Sequence, residues 1–134
     1  MAAGSGRARR DDDPNRARDV RVLIVDDHCD AREGIRELLE HRGHDVVAVA
    51  ADGQQAIAAT ARHKPDAVVL DVSLRGESGF DVAKRLTREW PNLAVLLVSV
   101  NADASPEVVR ACGARGLARK ERLYAADLVS LLGT

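Results

Sequence analysis

Residues Val20 to Asp30 read VRVLIVDDHCD, an apolar run that stops at two adjacent carboxylates, Asp26 and Asp27. The run is continuous rather than alternating and too short for an ordinary helix, the pattern of a strand buried on both faces. Its end would deliver two like charges to one place, where something must balance them.

Working outward from that stretch, DVVAVA (Asp45 to Ala50), DAVVLDV (Asp66 to Val72), LAVLLVSV (Leu93 to Val100) and the short RGLAR (Arg115 to Arg119) predict four further strands. The intervening segments have helical spacing. Ala31, Ile35, Leu38 and Leu39 recur until Gly43, and Asp52 to Lys64 opens with Asp52 and Gln55 at capping-box spacing and ends before Pro65. Val82, Ala83, Leu86 and Trp90 stripe a third helix closed by Pro91, and Ser105 and Pro106 suit the N-cap and first position of a fourth. Tyr124, Leu128, Leu131 and Leu132 predict one last helix. Strands alternating with helices specify an α/β fold, a doubly wound five-stranded parallel sheet whose first and third strands are candidates for its centre.

Length and composition narrow the function. At 134 residues the chain suits one domain. Residues 1–19 hold five Arg and four Asp but almost nothing to bury, so a disordered tail is expected before a domain spanning 20–134. The 20 Lys and Arg nearly balance 21 Asp and Glu, so no overall field draws the chain to nucleic acid or anionic lipid. Cys29 and Cys112 lack metal-ligand spacing and a secreted disulfide pattern; both are expected to be small buried apolar residues in a reducing cytosol. No run approaches the roughly 20 apolar residues of a membrane span, and the N-terminus lacks the apolar core of a signal peptide. A cytoplasmic protein is expected, with no membrane and no direct nucleic-acid partner.

In an open parallel sheet, ligands bind outside the carboxyl ends of the strands, near the switch in strand order. Asp26 and Asp27 end the first predicted strand, Asp71 the third, Ser99 the fourth and Lys120 the fifth. All five are therefore expected on one edge. Three carboxylates about 4 Å apart at an effective dielectric near 20 repel by on the order of 4 kcal/mol per pair, so the cluster needs a cation. Lys120 supplies one charge, and an oxygen donor set with room for waters suits Mg²⁺ better than zinc. His28, beside the acids, is expected to serve the helix start or the surface rather than a metal. Asp71 stands alone across from the pair. Next to a divalent ion and a lysine, such a carboxylate can attack phosphorus to give an aspartyl phosphate. Ser99 and Lys120 would then bind phosphoryl oxygens.

This arrangement resembles the receiver domain of two-component response regulators, which histidine kinases phosphorylate on aspartate. The resemblance covers Val20 to Thr134 and rests on VLIVDDH, VVLDVSL followed by GESGFDVAKRL, LLVSV and GARGLARK, in that order. Each alone is weak, and the ordered set is specific. It implies a flavodoxin-like (βα)5 fold with strand order 2-1-3-4-5. It further implies Asp71 as phospho-acceptor, and Mg²⁺ held by Asp27, by Asp26 partly through water, by Asp71 and by the backbone carbonyl of Ser73. Ser99 matches the hydroxyl that turns toward the phosphoryl group and Lys120 the lysine that pairs with it. The implied partners are a histidine kinase or histidine phosphotransfer protein, and a downstream protein that reads the face of the fourth helix, fifth strand and fifth helix. No turnover of an external substrate is implied. The VDDH opening and the lysine without a following proline also look like receivers that carry helix-turn-helix outputs.

Four positions depart from the family pattern. Leu117 replaces the usual Tyr or Phe, the ring that the family's rotamer switch uses, and Val100 replaces a small residue, which is expected to narrow access to the phosphoryl pocket. Arg75 replaces a common proline and is expected to loosen its loop. Glu121 follows Lys120 where proline is frequent. Tyr124, four residues past Lys120, is expected to pack along the last helix rather than stand in for the missing aromatic. Three other readings compete. A Mg²⁺-dependent phosphatase would want an acid two residues after the nucleophile, where Ser73 stands. A flavodoxin-like cofactor domain would want a phosphate loop where DDHCD is acidic. A receiver-like interaction module without phosphorylation would fit Leu117 and Val100 but not the full set of acids and lysine.

Overall fold

The computed structural model describes residues 20–100, 104–126 and 128–132, so the tail expected at 1–19 lies outside the described residues. The elements in chain order are β1 (Arg21–Val25), α1 (Cys29–His41), β2 (Asp45–Ala50), α2 (Gly53–His63), β3 (Ala67–Asp71), β4 (Ser73–Leu74), β5 (Glu77–Ser78), α3 (Gly79–Glu89), β6 (Ala94–Ser99), α4 (Pro106–Ala111), β7 (Gly116–Arg119), α5 (Lys120–Ala125) and α6 (Leu128–Leu131). The main sheet has the order β2-β1-β3-β6-β7, all neighbours parallel. Counting only its own five strands, that is 2-1-3-4-5.

The alternation along β1 shows why its sequence is apolar throughout. Leu23 and Val25 join a core formed with Val82 and Leu86 of α3 and Ala56 of α2. Val22 and Ile24 point the other way, to Ile35 and Leu39 of α1 and Leu123 and Leu128 of α5 and α6. Each such Leu, Ile or Val contributes roughly 1.5–3 kcal/mol on full burial. The sheet is therefore fixed from both faces, and only strand ends are left for polar residues.

The helix boundaries follow their caps. Ser105 Oγ accepts the Val108 N–H at 3.3 Å ahead of Pro106. Asp52 accepts the Gln55 N–H at 2.8 Å, but the Gln55 side chain reaches back to the Ala51 N–H at 2.9 Å rather than to Asp52 itself. The start of α3 is set by Gly79, whose N–H donates to the Val72 carbonyl at 2.6 Å. A Cβ there would run into the Asp71 carbonyl oxygen and come within 2.7 Å of the Val72 Cα, so only glycine brings α3 this close to the end of β3.

Three expectations are corrected. The loop after Asp71 is not loosened by Arg75. β4 and β5 pair antiparallel, Ser73 with Ser78 and Leu74 with Glu77, across a turn in which Gly76 takes a φ of +76°. The last helix is not continuous: it breaks at Ala126, which is extended (φ −126°, ψ 153°). The Arg42 guanidinium explains the break, because it occupies the Leu123, Tyr124 and Ala126 carbonyls, the acceptors that a continuing helix would use. Cys112 is buried as expected, but Cys29 is exposed, since it lies in the first turn of α1 beyond the end of the buried strand.

Candidate functional site

Parallel pairing brings the strand ends together. Asp26 follows β1, its N–H bonded to the Ala50 carbonyl of β2, and Asp71 closes β3 opposite Val98 of β6. Ser99, next along β6, pairs with Arg119 of β7, after which Lys120 starts α5. Residues from four strands of the chain thus meet at the carboxyl edge.

Lys120 lies between two of the acids. Its Nζ donates to Asp26 Oδ2 at 2.8 Å and to Asp71 Oδ2 at 3.3 Å. The other oxygen of each is fixed by backbone two residues on: Asp26 Oδ1 accepts the His28 N–H at 2.9 Å and Asp71 Oδ1 the Ser73 N–H at 3.1 Å. Asp27 is different. Its Oδ2 is 3.9 Å from the exposed Arg75 Nε, and its Oδ1, though 3.0 Å from His28 Nδ1, is buried without a hydrogen-bond partner. One ligand atom from each of Asp26, Asp27, His28 and Asp71 can be chosen so that all lie within 4.8 Å of one another.

Burial and neighbouring charge move these groups in different directions. Burial pushes the Asp26 carboxyl up, but the Lys120 ammonium and the His28 N–H outweigh it and hold it below the usual carboxylate range. At Asp71 burial prevails, aided by the negative charge of Asp26, and the carboxyl is raised despite the Ser73 N–H and Lys120. Burial opposes the Lys120 charge, but the two carboxylates overcome it and raise its pKa. Lys120 therefore neutralises Asp26 well and Asp71 incompletely. Three carboxylates against one ammonium, with a buried Asp27 oxygen left without a hydrogen-bond partner, fit a hard divalent cation.

Asp26, Asp27, Asp71 and Lys120 meet as the sequence predicts, and Ser73 and Ser99 flank them. His28 takes the N-cap position of α1, so its expected place at the helix start holds, although its ring also faces both acids. Val100 is 73% exposed, so its bulk lies largely in solvent rather than packed over Asp71. Leu117 is partly buried against the core that α3 helps to build. Tyr124 is mostly exposed, with its hydroxyl over Gly34 of α1 rather than along a continuous last helix.

Four supporting contacts escape the reading of the sequence given above. The Asp26–His28 and Asp71–Ser73 turns could have been found, since an aspartate readily accepts the N–H two residues on. Arg32 Nη1 donates to the Asp26 carbonyl at 2.8 Å, and Glu77 Oε2 accepts the Gly53 N–H at 2.8 Å, tying the loop after Asp71 to the start of α2. Neither leaves a mark in linear spacing.

The family model described as "Response regulator receiver domain" matches residues 22–122. The nitrate/nitrite response regulator protein NarP of Escherichia coli is 41% identical over 88 residues, 65% of this chain and 40% of that protein. The response regulator GacA of Pseudomonas viridiflava is 36% identical over 103 residues, 75% of this chain and 48% of that protein. The chain thus spans less than half the length of either relative. Among solved structures, a LuxR-family two-component response regulator from Aurantimonas superposes with a TM-score of 0.74 at 29% identity, covering 86% of each chain.

Proposed function

The chain belongs to the response regulator receiver domain family, and from that premise we propose that it takes a phosphoryl group onto Asp71 from the phosphohistidine of a partner protein. The observation that carries the reading is the setting of Asp71. Its carboxylate closes β3, oriented by the Ser73 N–H and Lys120 and facing Asp26 and Asp27. An Asp71 oxygen forms a bond to phosphorus as the donor's phosphorus–nitrogen bond breaks. The electron pair leaves with the imidazole, which takes a proton from water. Lys120 turns from the carboxylate to a phosphoryl oxygen, and the Ser99 hydroxyl donates to another. Asp26, Asp27, Asp71 and the Ser73 carbonyl would hold Mg²⁺, which neutralises charge on the phosphoryl oxygens when bound.

The donor is a histidine kinase or phosphotransfer protein. The chain turns over no external substrate, and the change at Asp71 passes to a downstream protein through the face of α4, β7 and α5. Exposed Val108 and partly buried Leu117 lie on that face. Among the described residues no helix is long and apolar enough to cross a membrane. The site works from the cytoplasm, where a histidine kinase presents its phosphohistidine.

Intact mass after incubation with acetyl phosphate tests the reading. One added phosphoryl group is expected with Mg²⁺, none without it and none in Asp71→Asn. A folded protein that gains nothing with Mg²⁺ would instead be the interaction module that Leu117 favours, since a leucine has no ring to swing inward.

A further inference from the structure

Resting on that reading of Lys120 as the partner of the phosphoryl group, we propose that Arg42 is the positioning residue that holds Lys120 at the site. Lys120 is the first residue of α5, which ends at Ala125. A helix this short does not sustain itself, because isolated helices below about 12–15 residues are marginal in water. Its geometry must come from what grips it.

The grip is α1. At the start of α5, Lys120 bonds Asp26, two residues before the His28 N-cap of α1. Midway, Leu123 is buried with Ile35 and Leu39, and the Tyr124 hydroxyl lies over Gly34, where a Cβ would meet it at 3.0 Å. At the far end stands Arg42, the C-cap of α1. Its Nη1 donates to the Leu123 and Ala126 carbonyls at 2.7 Å each, and its Nη2 to the Tyr124 carbonyl at 2.8 Å. These acceptors are the end of a helix without intrahelical donors, where a cation is favoured and charged donors make strong bonds.

The break at Ala126 makes this grip decisive. With α5 separated from α6, the ammonium of Lys120 is not placed by a long terminal helix. It is placed by the end of β7, where Arg119 pairs with Ser99, and by Arg42, the C-cap of α1, which holds the Leu123 and Tyr124 carbonyls of α5 and the Ala126 carbonyl just beyond it. The helix that follows the acid pair therefore also sets the distance from those acids to the lysine.

Arg42→Met keeps the aliphatic stem and removes every donor, and Arg42→Lys restores the charge with a different donor geometry. Amine labelling gives the first readout, because the chain has three lysines and the exposed Lys64 and Lys84 serve as internal references for Lys120, whose side chain is 19% exposed. In Arg42→Met, labelling of Lys120 relative to those references rises at least fivefold, with Arg42→Lys between it and the parent. Phosphoryl uptake from acetyl phosphate slows about tenfold in Arg42→Met. In a Lys120→Met background the same change slows uptake less than twofold, which a general structural role would not produce. Unchanged relative labelling of Lys120 in folded Arg42→Met overturns the proposal, as does an equal slowing in both backgrounds. If the parent takes no phosphoryl group, the reading of Asp71 fails, and labelling alone still decides what Arg42 does. Should Arg42→Met not fold, Arg42→Lys decides by the same labelling, with unchanged Lys120 again the overturning result.

Discussion

The two edges of the main sheet differ in how they treat charge. At the amino edge, a cavity of about 680 Å³ opens among Val20, Pro65, Trp90, Pro91 and Leu93, and Arg21 and Asp66 beside it are hydrogen-bonded. The Arg21 guanidinium donates to the Lys64 and His63 carbonyls at 2.7 and 2.8 Å, capping α2, while its N–H donates to Asp66 at 3.1 Å. At the carboxyl edge, two carboxylates share one lysine, and Asp27 beside them keeps a buried oxygen without a hydrogen-bond partner. Cavity size would select the first edge, as it often does. Uncompensated charge selects the second, because an unmatched buried anion is a standing demand for a cation or a reaction. In this molecule function follows the imbalance rather than the volume.

The contrast can be broken most severely at Gly79. Gly79→Ala drives a methyl into the backbone of Asp71 and Val72, and a loss of about 3 kcal/mol or more is expected in urea unfolding. A loss below about 1 kcal/mol would mean that the close approach of α3 to β3 is not obligatory. Lys120→Met leaves the backbone alone and removes the shared cation. Phosphoryl uptake should fall on the order of 10²-fold, the usual effect of deleting one charge-stabilising donor. An unchanged rate would remove Lys120 from the chemistry.

The next effect concerns sign. The folded state lowers the pKa of Asp26, so its stabilisation is present above the unfolded carboxylate pKa and is lost as pH falls through the folded value. The folded state raises that of Asp71, so its ionisation destabilises. That penalty is absent below the unfolded pKa and complete above the folded one. Without divalent cation at neutral pH, Asp71→Asn should stabilise and Asp26→Asn destabilise, each by about 1–2 kcal/mol. Thermal unfolding of both variants from pH 3 to 7 tests this, and shifts of the same sign would contradict it. The smallest effect belongs to the amino edge. Arg21→Ala should cost about 1 kcal/mol in stability and leave phosphoryl uptake unchanged. A slower uptake there would mean that the edges are coupled.

Much of this was legible in the sequence because the deciding residues sit in long-period patterns. The continuous apolar runs of β1, β3 and β6 state that both faces are buried, and each run ends in the polar residue that the parallel sheet carries to the shared edge. What was not legible depends on contacts distant in sequence. Tyr124 and Leu128 have the spacing of one helix, and only Arg42, some eighty positions earlier, takes the carbonyls that separate them. The β4–β5 hairpin rests on the positive φ of Gly76, which outweighs the missing proline at Arg75. Cys29 is exposed because the buried strand stops four residues earlier, at Val25, a boundary that residue type alone does not report.

The central claim is that one of three clustered carboxylates, Asp71, receives the phosphoryl group. It is tested most directly by trapping the product with borohydride, which reduces an aspartyl phosphate to homoserine, and sequencing the peptides by mass spectrometry. Homoserine at position 71 and at no other aspartate is the expected result. Homoserine at Asp26 or Asp27, or at no position in a protein that has gained a phosphoryl group, would contradict it.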